Sequence, residues 1–336
     1  MKYRYLGRSG LLVSRICLGT MTFGNEDWGC DQQTASKIVD AFVDAGGNFI
    51  DTADLYSAGV SEQMLGKAIA GKRRDELVIA TKCWFPTGET ANARGLSRKH
   101  IEEACDASLE RLGTDYIDLY QIHWPEPPGD ADAVAETLEK LRTEGKIRFV
   151  GVSNFGPVDL SRYPSNLFVS NQLAYSAAFR AIEFHLLAAS LERGMSIITY
   201  STLLHGVLTG KYANADEVPP GRARTRHFSA ERDIVRHGGT GHEETLFSLV
   251  NEMRAIADEA NLSVREVAML WVLAQEGVAT ILAGSRNAAQ AKSNAEVGDL
   301  SLDPQLVARL TRASEPLKEA MGPNPDMWQR ESRVKW

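Results

Sequence analysis

The chain has few of the features that would place it outside the ordinary globular enzymes. Only 4 of its 336 residues are cysteines (Cys17, Cys30, Cys83 and Cys105), and they show no paired spacing. That excludes a disulfide scaffold and fits reduced thiols in a cytoplasmic protein. No apolar run approaches the ~20 residues needed to cross a bilayer. Met1-Lys2-Tyr3-Arg4-Tyr5 lacks the apolar core of a signal peptide. Long basic runs are missing and the formal charge is -7, so nucleic acid is an unsuitable partner. The 7 histidines include no regular ligand spacing; His227, His237 and His242 in particular do not form one, and no metal site is expected.

What remains is 43% hydrophobic sequence in a regular alternation. Short β-branched runs at Arg15–Leu18, Asn48–Ile50, Leu77–Thr81, Ile117–Ile122, Arg148–Val152, Phe168–Gln172, Ser196–Tyr200 and Ala279–Ala283 read as strands covered on both faces. Amphipathic stretches separate them. One runs from near Thr34 to Gly46-Gly47, one from Ser97 to Gly113, and one from the capping box Ser263-Val264-Arg265-Glu266 to Gly277. Eight strands alternating with helices predict a single (β/α)₈ TIM-barrel domain over residues 1–336. Two segments stand outside the repeat. Lys2–Leu6 and Leu11–Ser14 flank Gly7-Arg8-Ser9-Gly10, a hairpin signal, and such a hairpin would plug the bottom of the barrel. Ala213 to Phe247, after the seventh strand, reads as a long functional loop. Met321 to Trp336 reads as a tail packed over one barrel face.

Polar residues end three consecutive strands. Asp51 ends the second, with Tyr56 five positions on; Lys82 ends the third; His123 ends the fourth. Strand ends of a TIM barrel converge on one rim, so these four should meet. Alone, each has a plainer reading: a turn former or helix cap for Asp51, rim packing for Tyr56 and His123, a solvated charge for Lys82. Together they form a proton-transfer set. A lysine ammonium favours the phenolate and should lower the tyrosine's pKa, Asp51 should anchor the lysine, and His123 should orient a carbonyl oxygen. The set suits protonation of a carbonyl oxygen while a cofactor supplies hydride, which no side chain can.

Beside these residues stand Gly19-Thr20-Met21-Thr22-Phe23-Gly24, Gly151-Val152-Ser153-Asn154-Phe155, Asn171-Gln172-Leu173, Tyr200-Ser201-Thr202-Leu203-Leu204 and Gly284-Ser285-Arg286. In this order they resemble segments of the aldo-keto reductase superfamily, over nearly the whole chain. The resemblance implies an NADPH-dependent reductase of aldehydes or ketones, with Asp51, Tyr56, Lys82 and His123 as its catalytic tetrad and Tyr56 as general acid. It implies that Ser153, Asn154 and Gln172 hold the nicotinamide carboxamide and that Tyr200 stacks on the ring. Ser201, Leu203, Gly206 and Lys211 would follow the pyrophosphate, and Gly284, Ser285, Arg286, Gln290 and Asn294 would bind the adenosine end and its 2′-phosphate. Gly19, Thr20, Met21, Asp51, Thr202 and Leu208 complete the implied cofactor surface.

Arg286 agrees independently, since a guanidinium at a helix start after the eighth strand suits phosphate. Thr202 and His205 depart from the family pattern, which commonly has proline and a small residue there. His205 is expected to bear on substrate choice. Trp28, Trp84 and Trp124 are pocket candidates, rim packing being the alternative; Trp271 is expected in the core. The run Arg222-Ala223-Arg224-Thr225-Arg226 reads as a solvated charged loop, or as a flap on the cofactor phosphates. A second function class is a non-enzymatic NADPH-binding regulatory subunit, as the channel β-subunits of the same superfamily suggest. A metal-dependent hydrolase is disfavoured, because only His123 among the histidines ends a strand.

Overall fold

The computed structural model describes residues 1–126, 130–232 and 234–335. Asp233 of the long loop and Trp336 of the tail therefore lie outside the described residues. The described residues form ten strands: β1 (Tyr3–Tyr5), β2 (Leu12–Ser14), β3 (Ile16–Gly19), β4 (Phe49–Asp51), β5 (Val78–Cys83), β6 (Ile117–Ile122), β7 (Ile147–Ser153), β8 (Phe168–Ala174), β9 (Ser196–Tyr200) and β10 (Val278–Gly284). β1 and β2 pair antiparallel, and β3 to β10 close an eight-stranded parallel barrel. Around it run α1 (Gln32–Asp44), α2 (Val60–Ile69), α3 (Arg98–Leu112), α4 (Ala131–Thr143), α5 (Pro157–Ser161), α6 (Leu186–Glu192), α7 (Glu243–Ala260), α8 (Val264–Leu273), α9 (Ala288–Glu296) and α10 (Pro304–Met321). No helix among the described residues is long and apolar enough to cross a membrane.

The helix ends follow the expected chemistry. Ser97 caps α3 by accepting from the His100 amide, and Gly113 ends it in a left-handed conformation. Ser263 and Glu266 form the reciprocal capping box of α8. Most boundaries fall within two residues of expectation, and two differ by more. The loop after β9 ends at His242, because Glu243 to Phe247 form the first turns of α7, with Leu246 and Phe247 buried. Glycine, arginine and histidine density just upstream masks that start. α8 stops at Leu273, and Gly277 instead takes the left-handed turn into β10.

Strand alternation divides the core in two. Cys17, Phe49, Val78, Ala80, Leu119, Val169, Ile198 and Ala279 fill the barrel lumen with Leu6 and Val13 of the hairpin. Ile16, Leu18, Ile50, Ile79 and their counterparts point outward under the helices. The hairpin closes the N-terminal end. Gly7 has φ +54°, and a Cβ there would come within 2.2 Å of the Val169 carbonyl oxygen, so the turn needs glycine. Arg4 fastens the plug by donating to the Leu273 carbonyl at 2.7 Å and the Val278 carbonyl at 2.5 Å.

Candidate active site

The lumen parity that buries Phe49, Ala80, Leu119 and Ile198 also fixes what stands above them. Two residues on, the same face carries Asp51, Lys82, Gln121 and Tyr200 at the C-terminal ends of β4, β5, β6 and β9. His123 follows one residue beyond β6, and Tyr56 opens a helical turn ahead of α2. The four candidates meet. Lys82, fully buried, forms an ion pair with the Asp51 carboxylate through Oδ1. It also donates to the Thr52 carbonyl at 2.8 Å and to the Tyr56 hydroxyl at 3.3 Å. The other carboxylate oxygen, Asp51 Oδ2, accepts from Gln121 Nε2 and Gln172 Nε2, each at 2.9 Å. The Tyr56 and His123 rings meet edge to face with centroids 6.0 Å apart.

Burial sets the electrostatics. It acts to depress the Lys82 pKa, but Asp51 and Tyr56 more than offset it and hold the ammonium at about 12. Burial pushes the Tyr56 phenol up, and Lys82 pulls it down by less. The expected net lowering of the Tyr56 pKa is thus corrected: desolvation of the phenolate outweighs the attraction of the lysine. His123 lies well below the usual histidine range, through burial first and then Lys82. The lowered pKa keeps it neutral at physiological pH, and its Nδ1 is buried with no hydrogen-bond partner among the described residues.

With Lys82 fully buried behind them, Asp51, Tyr56 and His123 line a cleft of about 520 Å³. Gly19, Met21, Ser153, Asn154, Gln172, Tyr200, Ser201, Thr202, Leu203, Gly206, Gly284 and Asn294 all line it, as do Trp124 and His205. The Tyr200 hydroxyl donates to Asn154 Oδ1 at 2.7 Å, and Asn154 Nδ2 donates to Ser153 Oγ at 3.0 Å. Other candidates stand off the cleft wall. Thr20 is buried beneath it and donates to the Asp51 carbonyl at 3.2 Å. Leu208 is in the core. Ser285 is buried and accepts from Asn294 Nδ2 at 3.2 Å. Arg286 is exposed two residues before α9, its amide donating to Gln290 Oε1 at 3.0 Å. Lys211 borders Gly206, whose φ is +92°: a Cβ on Gly206 would stand 3.6 Å from Lys211 Nζ and 3.4 Å from Arg222 Nη1. A glycine flanked by two cations leaves a backbone cradle suited to a pyrophosphate.

Two pocket candidates do not line the cleft. Trp28 is 44% exposed in the loop before α1. Trp84 should face the lumen by parity with Lys82, but its φ of +146° breaks the alternation. Its indole packs against the outer core, and Phe85 takes the place beside His123, with centroids 4.9 Å apart. His205 has a strained φ of +53° and a pKa lowered to about 4, mainly by burial and then by Arg224. Leu55, Phe85 and Trp328 also line the cleft and were not singled out in the sequence, and Arg224 of the arginine run joins them. Trp328 comes from the tail, where no periodicity marks it. A wider cleft of about 810 Å³ between α2 and α3, bordered by Gln63, Lys67 and Glu110, is open and contains none of the four central residues.

Comparison with known proteins agrees with this geometry. The profile described as "Aldo/keto reductase family" matches residues 15–315. "Aldo-keto reductase YhdN" of Bacillus subtilis (strain 168) is 33% identical over 315 residues, covering 91% of each chain. "Putative voltage-gated potassium channel subunit beta" of Schizosaccharomyces pombe is 32% identical over 322 residues, 92% of each chain. The solved structure of "aldo-keto reductase AKR11C1 from Bacillus halodurans (holo form)" superposes with a TM-score of 0.74 at 30% identity, covering 95% of this chain and 97% of that one. The chain belongs to the aldo/keto reductase family and is an oxidoreductase.

Proposed function

We propose that the protein reduces a small-molecule aldehyde or ketone to an alcohol at the expense of NADPH, with Tyr56 as proton donor. The observation that carries this reading is the Lys82 ammonium, buried and shared between Asp51 and the Tyr56 hydroxyl. A proton donor must be protonated at working pH, and the raised pKa keeps the Tyr56 phenol so. Once the proton has left, the phenolate stands 3.3 Å from a positive charge. Asp51, steadied by Gln121 and Gln172, keeps that charge in place. Neutral His123 is suited to hold a carbonyl oxygen without competing as an acid. When bound, the reduced dinucleotide supplies hydride to the carbonyl carbon. Tyr200, Ser153 and Asn154 would hold its nicotinamide end, the Gly206 cradle with Lys211 and Arg222 its pyrophosphate, and Arg286 a 2′-phosphate. Four free cysteines fit a reducing, cytoplasmic setting.

Tyr56→Phe tests the assignment. Turnover should fall by about 10²–10⁴, the range of general acid catalysis, with cofactor affinity nearly unchanged. A fully active variant overturns the role. NADPH preference is tested separately by Arg286→Ala: the ratio of NADPH to NADH affinity should drop about tenfold or more, the loss of one charge-assisted phosphate contact. An unchanged ratio removes Arg286 from the phosphate site. The relative described as a channel subunit β motivates a second reading, a cofactor-holding regulatory protein. It predicts tight NADPH retention with negligible turnover across aldehydes, quinones and bulky ketones.

A further inference from the structure

The connection after β9 and the C-terminal tail meet at one side chain. The half-buried guanidinium of Arg226 donates to three backbone carbonyls of the tail: Met321 at 3.1 Å, Asn324 at 2.8 Å and Asp326 at 2.9 Å. The Arg226 amide donates to a fourth, Met327, at 2.8 Å. Arg236 and Gln329 add a backbone bridge between the same two segments. A planar fork with five donors on three nitrogens can reach carbonyls spread along the turn, whereas a lysine's three donors radiate from one nitrogen. The gathered turn is ordered further by Asp326, which accepts from the Trp328 amide at 3.0 Å, the Gln329 amide at 3.2 Å and Arg333 Nε at 2.7 Å.

This turn presents Trp328 to the cleft. Its ring lies within 6° of parallel to Tyr200 at 6.4 Å between centroids, and 6.3 Å from His205. Upstream of the latch, Arg224 lines the cleft and Arg222 stands beside Gly206. One five-residue stretch thus touches both the cationic cradle and the aromatic wall.

We infer that Arg226 is a positioning residue that fastens the C-terminal segment so that Trp328 faces Tyr200, and that it couples the cradle formed by Gly206, Lys211 and Arg222 to this wall of the substrate pocket. The inference rests on the cleft being the carbonyl-reduction site. The wall it sets is apolar and aromatic, so the effect should grow with the size of the apolar group beside the carbonyl.

The test uses the full chain with Arg226→Ala and Arg226→Lys. Amide hydrogen exchange across residues 321–335 is read with and without NADPH, and kcat and KM are measured for a two-carbon aldehyde and a bulky aryl ketone. In the wild type, NADPH should slow exchange in the tail. In Arg226→Ala, exchange should be about tenfold faster or more and indifferent to NADPH, since several hydrogen bonds are lost at once. The KM for the aryl ketone should rise about tenfold or more, and the small aldehyde should shift by less than about threefold. Arg226→Lys should fall between, and it decides the matter by the same readouts if the alanine variant does not fold. Tail exchange equal to wild type, continued slowing by NADPH, or equal KM increases for both substrates would overturn the coupling. The exchange readout needs no turnover. An active Tyr56→Phe enzyme therefore removes the reaction reading alone, while unchanged tail exchange beside an inactive Tyr56→Phe removes the coupling alone.

Discussion

The two ends of the barrel handle the same physical problems in opposite ways. At the N-terminal end most charged groups find partners, although Arg15 Nε is buried with none among the described residues, and the hairpin's left-handed turns fall on glycine. Arg4 donates to Leu273 and Val278, Arg15 to the Gly298 and Leu300 carbonyls at 3.0 Å each, and the Met1 ammonium pairs with Asp299 at 2.8 Å. Left-handed turns there fall on Gly7 and Gly10. At the C-terminal end, His123 Nδ1 is buried with no hydrogen-bond partner among the described residues, and the Asp54 carboxyl is buried beside the Glu62 carboxylate. Among the described residues, nine that are not glycine have positive φ. Seven of them (Ser57, Ala58, Trp84, Asn154, Ser201, Leu204 and His205) follow the C-terminal ends of strands. Backbone strain costs stability, and here it gathers where a ligand would be handled. One end is built to hold the fold; the other spends stability on position.

The comparison predicts measurable asymmetries. The largest concerns the paired charge. Asp51→Asn leaves Lys82 buried without its counterion, and stability should drop by about 3–5 kcal/mol in urea unfolding, with turnover lost as well. A drop under about 1 kcal/mol would mean that water reaches Lys82 and that the pair is not truly buried.

A smaller effect concerns Asp54, three residues on. Burial first, then the nearby Glu62 carboxylate, raises its pKa from 3.8 to about 7. The sign follows from linkage. A carboxyl whose folded pKa is raised contributes its full stability below pH 3.8, and loses it as pH climbs through about 7. Asp54→Asn should therefore gain on the wild type by about 2–3 kcal/mol between pH 5 and pH 8, at 1.36 kcal/mol per pKa unit. A gap in unfolding free energy that stays constant over that range would show that Asp54 does not titrate there.

The smallest concerns backbone strain. Ala58 is exposed at φ 52°, ψ 43°, so Ala58→Gly should raise stability by up to about 1 kcal/mol, read as a Tm increase. A decrease would show that this conformation is well supported by its neighbours.

The strands were legible because each is a short β-branched run bounded by turn residues, and their alternation with helices leaves little besides a parallel barrel. Asp51, Lys82 and His123 were legible for the same reason: a polar residue closing an apolar run is conspicuous. What stayed hidden depended on tertiary geometry. Trp84 and Phe85 exchange faces because one residue departs from the alternation, and no propensity announces it. Trp328 reaches the cleft only because Arg226 gathers carbonyls from a segment lacking periodicity. Neither reading of the run Arg222 to Arg226 anticipated that Arg226 faces the tail while Arg224 borders the cleft. The sign of the Tyr56 shift depended on how completely the phenol is desolvated, a property of the assembled rim.

The barrel closes through the pairing of β3 with β10, Ile16 opposite Ile281. During synthesis β3 emerges early and finds β4 soon after, but its other edge has no partner until β10 appears about 260 residues later. At ~5–20 residues per second that is roughly 15–50 s with one strand edge open, its carbonyls and amides free to pair with another nascent chain. The Arg4 bonds to Leu273 and Val278 cannot form earlier either, so the plug is among the last parts to lock. Yield in cells should therefore respond to translation speed and chaperone supply even where the finished protein is very stable.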